Sequence, residues 1–167
     1  MINIADTLAP IVRDIRTKDE RDVLRGQLGE LEGAFFHSDP RILEEVLRTR
    51  LPEDLAVAMR DILAVPELKD NPESLRLFFQ DFKSRLDKFS LLKLSIVFKP
   101  NEKMIDRLHE WIQQNLGTDV VLDIEYDRSM LGGARIIFSG RYKEITLAQM
   151  ITDTFIKEKK TVMEMIK

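Results

Sequence analysis

Hydrophobic residues in this chain keep one period up to about residue 90 and a different one from Leu91 onward, and no single kind of element satisfies both. Before the change, Ile4, Leu8, Ile11, Val12 and Ile15 recur at three- and four-residue steps, and so do Val23, Leu24, Leu28, Leu31 and Phe35. After it, Leu92, Leu94, Ile96 and Phe98 alternate with Leu91, Lys93, Ser95 and Val97. Helices are therefore expected first and a sheet second, giving a mainly α chain with a small α+β C-terminal module.

Proline placement agrees, because all 6 prolines lie at or before Pro100 and act as helix starts and stops. Pro10 should kink or shorten the first helix. Gly26 and Gly29 weaken the second by about 1 kcal/mol each relative to alanine. Asp39-Pro40 offers a cap and a first helical residue for the third, and Leu51-Pro52 restarts the chain toward Leu55, Met59, Ile62 and Leu63. Residues 65–72 read as a loop. Asn71 then caps a helix whose apolar face is Leu75, Phe78, Phe79, Phe82 and Leu86. Five helices result, and residues 1–90 form an N-terminal helical bundle.

Residues 91–167 give strand, helix, strand, strand and an extended final helix. Asn101 opens a helix bearing Ile105, Leu108, Trp111 and Ile112, and Gly117 suits its C-cap. Val120, Leu122, Ile124 and Tyr126 form the second strand and residues 134–139 the third. Three strands are expected, the first two parallel across the helix and the last two joined as a hairpin at Gly132-Gly133. The final helix should begin at Thr146. Dividing the formal charge of -3 at this boundary gives -4 to residues 1–90 and +1 to residues 91–167.

That balance argues against dense phosphate neutralisation, and the absence of cysteine removes disulfides, thiolate metal sites and cysteine nucleophiles. No stretch approaches the roughly 20 apolar residues of a membrane span, and the acidic residues near the N-terminus do not suit a signal peptide.

Side chains with chemical potential have plainer explanations. Asp123, Glu125 and Asp127 alternate along a strand and can in principle hold a hard cation, but a solvated sheet face explains them better. His37-Ser38-Asp39 has the letters of a triad without its nucleophile elbow, so a helix cap is preferred. His109 sits at the edge of an apolar helix face, where packing or hydrogen bonding is expected. Gly132-Gly133 lacks the lysine and helix of a phosphate loop. Lys157-Glu158-Lys159-Lys160 reads as a solvated run. Neither a cofactor nor a metal is expected.

Residues 121–151, VLDIEYDRSMLGGARIIFSGRYKEITLAQMI, carry a more specific pattern. Asp127, the turn Met130-Leu131-Gly132-Gly133, the following strand, Glu144-Ile145-Thr146 and Ile151 resemble the C-terminal signature of the delta subunit of F-type ATP synthases, the OSCP family. The strand-helix-strand order from Leu92 to Tyr126 agrees. Glutamate and threonine stand where the family has aspartate and serine, and five helices against the family's six-helix domain suggest a divergent member with a shortened bundle.

The resemblance implies a non-catalytic stator, or peripheral-stalk, subunit supporting proton-driven ATP synthesis at the cytoplasmic face of a bacterial inner membrane. Its partners would be the N-terminal helices of alpha subunits and the C-terminal end of the b subunit, with no nucleic acid. Leu8, Ile11, Val12 and Ile15 are candidates for one wall of an apolar groove, and Phe155, Val162, Met163 and Ile166 for contact with the b subunit. The alternative is a small α+β RNA-binding module with a helical extension, although neither a GXXG loop nor aromatic strand motifs are present.

Overall fold

The structure is a computed structural model that describes the backbone of residues 4–146, with side chains described for 8–68 and 70–145. The chain divides into two compact units, Met1–Phe89 and Ser90–Lys167.

The first unit is helical: α1 (Ile4–Arg13), α2 (Lys18–Phe35), α3 (Pro40–Thr49), α4 (Glu53–Leu63), α5 (Pro66–Lys69) and α6 (Pro72–Asp87). Local chemistry sets most of the starts. Thr17 and Glu20 form a reciprocal capping box on α2, the Asp39 carboxylate accepts from the Arg41 N–H, and the Asn71 side chain accepts from the N–H groups of Glu73 and Ser74. Pro40, Pro66 and Pro72 each occupy the first turn, where no backbone N–H is missed.

Segment 65–72, expected as a loop, contains α5, so the unit has six helical segments rather than five. Pro66 preorganises one turn there, too short to carry a periodic stripe. Pro10 lies within α1, which continues through it. The glycines of α2 do not interrupt it, because Leu24, Leu28 and Leu31 are buried on its other face.

That face packs on α3 and α6, and α1 packs on α4. Phe79, Leu75 and Leu86 from α6 and Met59 and Ile62 from α4 are withdrawn completely from water with Leu28 and Leu31. Arg25 pairs with Asp87 at 2.8 Å at the surface, and Lys83 pairs with Glu32 where both are partly buried, so that two ion pairs bridge α2 and α6. Such pairs each contribute about 0–1 kcal/mol, so the apolar interior carries the unit.

The second unit is a sheet with one described helix: β1 (Ser90–Ile96), α7 (Glu102–Asn115), β2 (Val120–Tyr126), β3 (Gly133–Phe138) and β4 (Arg141–Thr146). Strand order is β2-β1-β3-β4. β1 and β2 are parallel, as expected, with Ser90 opposite Val120 and Ile96 opposite Tyr126. β1 and β3 are antiparallel, Leu94 facing Ile136, and β3 and β4 are antiparallel, Gly133 facing Thr146. The ends of β1 and β4 and the start of β3 thus meet at one side of the sheet.

Three expectations need correction. Among the described residues the sheet has four strands, not three, because 141–146 pairs with β3. Thr146 therefore closes a strand instead of opening a helix. The hairpin is not between β2 and β3: α7 returns the chain to one edge of β1, and β3 takes the other edge. Residues 127–132 cross the end of β1, where the Asp127 N–H donates to the Ile96 carbonyl. The true hairpin turns at Ser139-Gly140, both with positive φ (49° and 73°), the requirement of a two-residue type I′ loop. β1 also stops at Ile96, which leaves Phe98 beyond the strand and exposed.

α7 lies over one face, where Leu92, Leu94, Ile96, Val120, Leu122 and Ile112 form the core. Ala134, Ile136 and Phe138 of β3 pack against this cluster only partly buried.

Candidate functional site

The helical unit carries an apolar groove of about 380 Å³ between the end of α1, the first half of α2 and the start of α4. The stripe that builds the bundle also builds the groove. Leu24 and Leu55 point inward and form a floor continuous with the core, while Val23, one residue earlier on α2, turns outward and is 59% exposed. Ile11 and Ile15 line the α1 side.

Carboxylates ring this groove. Asp14, Asp19, Glu20 and Asp54 line it, and among the described residues no lysine or arginine does. Glu20 belongs to the capping box and pairs with Arg16. Among the described residues no ion pair is formed by Asp14, Asp19 or Asp54.

Of the four groove candidates read from α1 and its exit, Ile11 and Ile15 line the groove, Leu8 is buried in the bundle, and Val12 is half-buried without lining it. Sequence reasoning missed Val23, Asp19 and Asp54. Val23 fits the helical stripe as well as Leu24 does, so only packing separates wall from core.

The turn motif of the second unit has its own geometry. Met130 is buried while Leu131 is 69% exposed at the loop tip, and Gly132 and Gly133 take φ values of 132° and 91°, which β-carbon-bearing residues rarely adopt. Arg135 on β3 reaches Asp127 at 3.0 Å and Glu144 on β4 at 3.4 Å, so one guanidinium ties the crossing segment to the edge strand. The Ser129 hydroxyl and N–H both donate to Asp127 and hold its carboxyl below the usual range. The Tyr142 hydroxyl donates to Glu144, which pushes the phenol up. Thr146 ends β4. Phe155, Val162, Met163 and Ile166, with the lysine run at 157–160, lie outside the described residues.

The remaining candidates are accounted for structurally. Asp39 caps α3 and is held low by its hydrogen bonds from Arg41, while its own N–H donates to His37 Nδ1. His109 is buried, and the Gln113 amide donates to its Nε2 at 2.7 Å. Glu125 accepts from the Ser95 hydroxyl at 3.3 Å. Asp127 turns to Arg135, so the three acids expected on one strand face are not brought together around one point. Among the described residues no cluster of three metal-ligating side chains occurs, and no helix is long and apolar enough to cross a membrane.

No family model matches the sequence, and no curated protein matches it.

Proposed function

We propose that this chain is a non-catalytic connector, a delta-type stator subunit of an F-type ATP synthase. In this reading the helical unit grips N-terminal helices of alpha subunits, and the sheet unit holds the end of the b-subunit stalk. The observation that carries it is the groove lined by Ile11, Ile15, Val23, Leu24 and Leu55 on the helical unit. Its outer wall is an exposed valine on a floor of core leucines, an arrangement suited to receiving the apolar ridge of a helix.

Two further features support the reading. The described residues of the helical unit form six helical segments, the number expected of the family's N-terminal domain. Asp127 and Glu144, two of the residues that carry the resemblance, both pair with Arg135 as one connected clasp. The proposed site is the cytoplasmic face of a bacterial inner membrane, where partners hold the subunit.

The test is co-elution of the purified chain with the catalytic head of the same organism's ATP synthase. Binding to the intact head is expected, weakened at least about tenfold by Val23→Asp, which buries a charge at the contact but leaves an exposed position of the free subunit. Failure to bind the head overturns the reading. A salt-sensitive complex with RNA in its place favours the nucleic-acid alternative.

A further inference from the structure

We propose that the groove of the helical unit is selective for a cationic amphipathic helix of a partner protein, one with lysine or arginine on both sides of its apolar ridge. The inference rests on the reading of this groove as a docking surface and adds the chemistry of what docks. Its basis is charge complementarity: Asp14, Asp19 and Asp54 stand at the rim around Val23 and Leu55, and among the described residues they form no ion pair and no basic side chain lines the groove.

An apolar floor alone accepts any hydrophobic ridge. A rim of one sign discriminates, because it attracts a helix with basic flanks and repels one with acidic flanks. The volume of about 380 Å³ admits a few apolar side chains, so much of the discrimination falls to the rim. The partner helix should also arrive faster at low salt than at high salt.

The experiment uses the full chain and two 18-residue helical peptides with the same leucine ridge, one with lysine flanks and one with glutamate flanks. Backbone amide signals of Val23, Leu24, Gln27 and Leu55 are followed by NMR during titration. The lysine peptide should shift these signals and bind on the order of tenfold more tightly at low ionic strength, with a margin that shrinks in about 0.5 M salt. D19N/D54N should remove the margin while leaving contact with the ridge.

Equal affinity for the two peptides, a margin retained by D19N/D54N, shifts confined to other residues, or self-association of the chain through this groove overturns the proposal. The two readings fail separately. Binding to the catalytic head without any charge preference sinks the inference alone, and a clear lysine preference without binding to the head sinks the stator reading alone.

Discussion

The two units bury their apolar residues differently. In the helical unit, Leu28 and Leu31 of α2, Met59 and Ile62 of α4, and Leu75, Phe79 and Leu86 of α6 are fully withdrawn from water, and the interior is closed by helices from separate parts of the chain. In the sheet unit, burial declines across the strands. β1 and β2 contribute Leu92, Leu94, Ile96, Val120 and Leu122 to the core, while the apolar residues of β3 are only partly covered and Ile145 of β4 is exposed. α7 connects β1 to β2 and covers them, so the strands added later have less of their surface shielded by it. Stability should therefore be spread evenly in one unit and graded in the other.

Core deletions test that contrast most strongly. Phe79→Ala should destabilise the helical unit by about 3–5 kcal/mol in urea denaturation, since its ring has no exposed surface. A loss below about 1 kcal/mol would mean that this interior is looser than its burial indicates. Leu94 and Ile136 face each other across the β1–β3 ladder, one buried and the other half-exposed. Leu94→Ala should cost about 2–5 kcal/mol and Ile136→Ala clearly less. Equal costs would remove the gradient.

Backbone and cap substitutions come next. Gly133→Val forces a β-branched residue to φ of 91° and should cost about 1–3 kcal/mol, read as a lowered urea midpoint. Unchanged stability would show that the crossing segment can relax at this position. Asn71→Ala removes the acceptor for two N–H groups at the start of α6 and should cost about 1 kcal/mol.

The smallest effect concerns acid. Asp127 has its folded pKa lowered from an ordinary value of 3.8, first by the Ser129 hydroxyl and then by the Ser129 N–H. A depressed carboxylate contributes stability above its unfolded pKa and loses it as pH falls through the folded value. Asp127→Asn should therefore lose less stability than the parent chain between about pH 5 and pH 3, seen in paired denaturation curves. An identical acid response in both proteins would count against the clasp.

Much of the fold was legible because it is local. Asp39-Pro40 and Asn71-Pro72 announce helices through cap chemistry that needs no distant partner, and the alternation of Leu92, Leu94 and Ile96 announces β1. What escaped depends on pairing. Arg141, Tyr142, Lys143 and Glu144 have too few apolar residues to read as a strand, and β4 exists because β3 offers it a ladder. Ser139-Gly140 was the available signal for that hairpin. Alternation also says which face a residue occupies and not which strand lies beside it, so sequence order alone points β3 to β2, whereas it pairs with β1. In the groove, Ile11 and Ile15 were within reach of periodicity, but the turn of Val23 away from the core and the approach of Asp19 and Asp54 required α1, α2 and α4 to be assembled.

The strand directions have a mechanical consequence. The chain enters the sheet at Ser90 and its last described strand ends at Thr146, and the register sets these residues at opposite ends of β1 and β4. A pull on those two points runs along the strands. It loads the β1–β3 and β3–β4 ladders in shear, so that their hydrogen bonds share the force instead of opening one after another. An element built this way stiffens along the axis on which it is pulled and peels readily only from its edges.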